Sequence, residues 1–257
     1  MRRIMRLTSL VLSVFLLNIN LFAQENASDI RAFLEELQKN QQEMRLEMQE
    51  IKSMLSRLPL PKQQNAPQPN NVKGIEFEIG DNPVLGSKSA RLILVEFTDY
   101  QCQFCGRYVR ETFPQIMDQY VDKGKIRYTT IDQPLAIHPD AAKAAEASHC
   151  AEDQGKFWEI HEAMMANQEA LGDLSSYAET LKLNIGQFED CLNTGKYKEA
   201  VRKDMVLASK LGVTGVPGFI IGTVDENDPR KVTGISMIRG AMPIASFQNE
   251  IDAALKR

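Results

Sequence analysis

The sequence predicts an α/β domain with a helical insertion, carried behind a long amphipathic helix. Three observations carry this. From about residue 74, buried-strand runs alternate with helical stretches. A stretch of helical composition, 139–211, separates the second strand from the third. Between residues 28 and 58, apolar side chains return every 3.5 residues on average. Composition agrees: 43% hydrophobic and 25% charged residues exclude wholesale disorder and a polytopic membrane protein. Thirty Lys and Arg against 34 Asp and Glu leave no basic excess for phosphates, so nucleic-acid binding is disfavoured.

Residues 1–23 read as a cleaved secretory signal. Arg2, Arg3 and Arg6 form a positive start, Leu10 to Leu17 a short apolar run, and Leu21-Phe22-Ala23 a small-residue end before polar Gln24. The apolar run is too short for an anchor, which needs roughly 20 apolar residues. Cleavage after Ala23 removes three Arg and takes the net charge from -4 to -7. Export also places the cysteines where disulfides persist.

Ile30, Leu34, Leu37, Gln41, Met44, Met48, Ile51, Leu55 and Leu58 alternate steps of four and three. The expectation for 28–58 is a coiled-coil helix of about 46 Å that joins copies of the chain. With Leu34, Gln41, Met48 and Leu55 at a positions, Glu47 reaches Lys52 of a neighbouring copy. The alternative is an amphipathic helix lying on its own domain. Residues 59–73 hold four Pro and no apolar period, and read as a linker into the domain at 74–257.

Within that domain, Arg91 to Thr98 is a buried-strand run. Arg107 to Tyr120 is helical in period, with a kink expected at Pro114. Lys125 to Ile131 is a second strand. The insertion breaks near Gly155, Gly172 and Gly186. Phe219 to Gly222 and Lys231 to Met237 are further strands, and Pro243 to Leu255 is a closing helix.

Cys102-Gln103-Phe104-Cys105 follows the first strand and opens a helix. A cysteine at a helix N-terminus meets unpaired N–H groups and the positive end of the dipole, which favour thiolate over thiol. Cys102 is therefore the candidate nucleophile, exposed at the turn, and Cys105 the buried resolving thiol. Structural zinc is the alternative for such a pair. It needs four ligands, and this chain has no second Cys-x-x-Cys and no suitably spaced His among His138, His149 and His161. His138 before Pro139 reads as a helix start, and Trp158 and His161 as packing residues of the insertion. No metal or bound cofactor is expected.

Val95-Glu96-Phe97-Thr98-Asp99-Tyr100-Gln101-Cys102-Gln103-Phe104-Cys105 resembles the active-site strand and turn of DsbA-like thioredoxin-fold thiol:disulfide oxidoreductases. Gly212-Val213-Thr214-Gly215-Val216-Pro217-Gly218-Phe219 is similar to that family's cis-proline loop. His138-Pro139-Asp140-Ala141 and the run Ala151 to Trp158 resemble its insertion, so the likeness covers 76–257. The resemblance implies a thioredoxin fold and a cis Pro217 against the cysteine pair. It implies client contact at Val216, Gln103 and Phe104, and a buried acid, Glu96, that handles the proton of Cys105. An edge-exposed Glu96 is the plain alternative. It further implies a structural Cys150–Cys191 disulfide, against two buried free thiols. One departure is Phe104, where strong oxidases of the family often carry His.

The function so implied is an exported thiol:disulfide oxidoreductase of the periplasm or cell envelope. It acts on client proteins with cysteines and is recycled by an unidentified membrane redox partner. Val216 before the proline favours an oxidase, and the coiled coil an isomerase or reductase. A non-enzymatic coiled-coil adaptor on a thioredoxin scaffold is the rival.

Overall fold

The structure, a computed structural model, describes residues 34–49 and 72–257. Expectations for 1–23, for most of the linker and for the ends of the 28–58 segment lie outside the described residues. Residues 34–49 form a helix, α1, whose side chains are all exposed.

The strands of the domain, in chain order, are β1 (Glu76–Glu78), β2 (Val84–Leu85), β3 (Leu92–Thr98), β4 (Ile126–Asp132), β5 (Gly218–Val224) and β6 (Lys231–Arg239). They form one sheet in the order β1-β6-β5-β3-β4-β2. β3 lies inside the sheet and every one of its residues is buried, because its run Leu-Ile-Leu-Val-Glu-Phe-Thr is apolar on both faces. It pairs parallel with β4, through a helical crossover, and antiparallel with β5. β1 and β2 were not expected: two or three residues at a sheet edge carry too short a pattern to register.

Alternation along β3 distributes its side chains between two cores. Leu92 and Leu94 enter the larger core, which also holds Cys105, Tyr108 and Tyr128. Ile93, Val95 and Phe97 enter a second core with Ile131, Ile220 and Val232. Glu96 follows the parity of Leu92 and Leu94 and so points toward the cysteine-bearing side.

α2 (Gln103–Glu111) and α3 (Phe113–Ile116) cover that face, followed by one π turn at Met117–Val121. The expected kinked helix over 107–120 is thus two helices. Pro114 sits in the first turn of α3, where its missing N–H costs nothing, so the chain breaks at Thr112 rather than bending.

The insertion comprises α4 (Ala141–Glu152), α5 (Phe157–Ala166), α6 (Leu174–Thr180), α7 (Ile185–Thr194) and α8 (Lys198–Lys210). Gly155, at φ 69°, turns the chain between α4 and α5. The break near Gly186 falls just before it, between α6 and α7: Gly186 lies in the first turn of α7, which Asn184 caps by accepting from the Gln187 N–H. His138 does not start α4 either, since Asp140 is the N-cap. Cys150 on α4 and Cys191 on α7 are joined in a disulfide. α4 and α8 are tied to the end of β4 by a buried polar group. There His149 Nε2 lies 2.8 Å from Asp132 Oδ2, and Asp204 Oδ2 accepts from the Asp132 N–H at 3.1 Å. The closing helix α9 (Ile244–Leu255) sets Phe247 edge-on to Phe219, with Tyr108 beside both.

Candidate active site

The site is built where β3 ends and α2 begins. Asp99, Tyr100 and Gln101 form the turn, and Cys102 is the N-cap of α2 with extended backbone. Its N–H donates to the Asp99 carbonyl at 3.1 Å. Apolar residues at Cys105, Tyr108 and Val109 hold one face of α2 in the core, which places Cys102 at the rim and Cys105 beneath it.

The register of β5 against β3 brings in the second component. Glu96 lies opposite Phe219 and Phe97 opposite Gly218, so the residues before β5 meet the turn after β3. The Val216–Pro217 bond there is cis. Gly218 permits the close approach, because a Cβ at that position would lie 2.8 Å from Val213 Cγ1. The Cys102 thiol donates toward the Val216 carbonyl at 3.7 Å.

Cys102 is only 6% exposed, which corrects the expectation of an open thiol: the Val216 carbonyl lies against its sulfur. Gln103 and Phe104, by contrast, project outward, Phe104 being 58% exposed. The Arg107 guanidinium lies over the Phe104 ring, 5.3 Å from its centroid. These residues border an open groove of about 740 Å³ between α2 and the insertion.

The two sulfurs have opposite electrostatics. The neighbouring Cys105 thiol, and then the N–H groups of Cys105 and Phe104, lower Cys102 to about 6, against burial and the Asp99 charge. Burial, and then the Cys102 sulfur and Glu96, push Cys105 well above its ordinary value. Both are free thiols.

Glu96 is fully buried below the pair. Burial pushes its carboxyl up to about 7, against a hydrogen bond from the Tyr128 hydroxyl. Its Oε1 has no hydrogen-bond partner. Burial likewise pushes Tyr128 well above its ordinary value, so the phenol stays a donor.

Several groups at the site carried no signal in the sequence. The Gln168 amide, from the 3-10 turn after α5, donates to the Tyr100 carbonyl at 2.7 Å and the Cys102 carbonyl at 2.9 Å. Gly106 leaves room for it, since a Cβ there would lie 2.3 Å from Gln168 Oε1. Gln101 grips Asp140, accepting from its N–H at 2.6 Å and donating to Oδ2 at 2.9 Å. Beneath the turn, Tyr100 and His161 share a hydrogen bond of 3.0 Å. Burial pushes His161 down to about 4, so its ring is neutral near pH 7. Among these, Tyr100 and Gln101 stood within the motif, but the side chains that meet them lie dozens of residues away.

The family model described as Thioredoxin matches residues 78–238. The Na(+)/H(+) antiporter NhaA 3 of Salinispora tropica is 32% identical over 156 residues, covering 60% of this chain and 23% of that protein. The chain therefore spans about a quarter of that antiporter's length. The probable disulfide bond formation protein D of Bacillus anthracis is 30% identical over 160 residues, covering 58% of this chain and 74% of that protein. Among solved structures, alpha-DsbA1 of Wolbachia pipientis superposes with a TM-score of 0.60 at 25% identity, covering 74% of this chain and 96% of the other.

Proposed function

The chain belongs to the thioredoxin family, and on that footing we propose that it is a thiol:disulfide oxidoreductase acting on the cysteines of client proteins. The carrying observation is the pairing of a helix-capping Cys102, lowered to about 6, with a buried Cys105 held high over Glu96. At pH 7 a thiol with that value is roughly 90% thiolate. The similarity to a disulfide bond formation protein supports the same reading.

In the oxidising direction the pair begins as a Cys102–Cys105 disulfide. A client thiolate attacks Cys102 Sγ, a client–Cys102 disulfide forms, and the bond to Cys105 breaks. Cys105 leaves as thiolate and takes a proton from the Glu96 carboxyl, which its value near 7 keeps available. A second client thiolate then attacks the client sulfur and expels Cys102 as the stabilised thiolate. Two electrons pass from the client to the pair. Reduction and isomerisation use the same steps in other orders, with Glu96 removing the Cys105 proton during resolution.

The half-buried Val216 and buried Pro217 border the nucleophile, and Val216 offers backbone to an extended client, as in strand addition. Gln103 and Phe104 form the outer contact. Residues 1–23 suit an exported protein of the periplasm or envelope, with a membrane redox partner to recycle the pair. No helix among the described residues is long and apolar enough to cross a membrane.

Refolding of a scrambled-disulfide substrate and insulin reduction test the proposal. The wild type turns over in one or both, and Cys102→Ser abolishes the turnover. Equal behaviour of the two proteins would leave an inert scaffold. The balance between the two assays separates oxidase, isomerase and reductase.

A further inference from the structure

The thiolate of Cys102 has a negative neighbour. Asp99 is 1% exposed, lies three residues before Cys102, and disfavours the ionised sulfur. Three donors converge on its carboxylate. The Gln101 N–H reaches Oδ1 at 2.8 Å, while the Leu135 N–H and His138 Nδ1 reach Oδ2 at 2.7 and 2.8 Å. Two of the three are neutral amides. His138 alone can bring a full positive charge. Within the motif itself Phe104 supplies none.

We propose that His138 is a positioning residue for the thiol chemistry. Its imidazole, held on Asp99, offsets the carboxylate charge behind Cys102 and so sustains the reactive thiolate. The geometry fits the role. A carboxylate only accepts, so Nδ1 carries the proton and the ring orientation is fixed. The ring is part-exposed and borders the groove beside the motif, where it exchanges protons with solvent. The other charged groups around it are Asp140, occupied by Gln101, and Arg107, Arg110, Glu111 and Glu169 along the groove. Arg110 is spent on the Met165 carbonyl at 3.0 Å. None of them is bonded to Asp99.

This rests on Cys102 being the nucleophile, and the test separates the two ideas. The reduced protein is alkylated with iodoacetamide from about pH 4 to about pH 9, and modification of Cys102 is located by fragment mass spectrometry. His138→Asn keeps a neutral donor, and His138→Lys supplies a permanent charge at the same part-exposed position. At pH 5, His138→Asn should react about threefold more slowly than wild type, equivalent to half a unit in thiol acidity. His138→Lys should react at least as fast as wild type. In an Asp99→Asn background, His138→Asn should have no further effect. The inference is overturned if His138→Asn matches wild type, if Asn and Lys shift the profile in the same direction, or if the effect persists without Asp99. A wild-type Cys102 that alkylates like free cysteine would instead remove the nucleophile, and with it the proposed function.

Discussion

Glu96 concentrates the cost of the site in one side chain. Its carboxyl titrates at about 7 in the folded protein against 4.5 when free. The folded state therefore binds the proton more tightly, and stability falls as pH rises from about 4.5 through about 7. Those values correspond to about 3 kcal/mol lost by neutral pH. Glu96→Gln should accordingly be more stable than wild type in urea at pH 7.5, and the difference should vanish near pH 4. The same variant should release client mixed disulfides more slowly, since Cys105 loses its proton carrier. Equal stability at both pH values would mean that Glu96 is better solvated than its burial indicates. The position of Glu96 was readable: period two along β3 puts it on the side of Leu92 and Leu94. Its phenol partner, Tyr128, was only one residue in a strand run until β4 was registered beside β3.

The helices of the insertion do two separate jobs. α4 and α7 are stapled by Cys150 and Cys191, closing a loop with a sequence separation of 41. Replacing both by Ala should cost roughly 2–4 kcal/mol in denaturant unfolding. The Cys102/Cys105 potential should stay at its wild-type value, because the staple lies on neither element that carries the pair. A large shift in that potential would show that the insertion's packing sets the chemistry. The second job falls to the turn after α5, where Gln168 holds the carbonyls of Tyr100 and Cys102. The helical composition of 139–211 foretold the helices, since these follow from local spacing, while the Cys150–Cys191 staple of the first job was implied by the family resemblance. It contained nothing of the second. A Gln in a short polar turn looks the same whether it faces water or clamps an active-site loop.

α1 bears on the molecule as a whole. Leu34 is 51% and Met48 64% exposed, with Leu37 and Met44 similar, on a helix whose seam has the 3.5-residue repeat. If, as we propose, copies of the chain join through 28–58, the resulting homo-oligomer covers these side chains. Deleting residues 24–58 should convert the oligomer to a monomer in light scattering, while the redox potential of the cysteine pair is retained. A full-length chain that is monomeric at high concentration would rule this assembly out. Such periodic patterns, and the cysteine pair at a strand-to-helix turn, are local, so the order of residues along the chain determined them directly. Tertiary structure decided which remote groups meet the pair. Tyr128 reaches Glu96 across 32 residues, His138 reaches Asp99 across 39, Gln168 reaches Cys102 across 66, and Val216 reaches Cys102 across 114. Strand register, a crossover and the packing of an insertion bring those pairs together. No local spacing encodes them, because each contact depends on how the entire sheet is assembled.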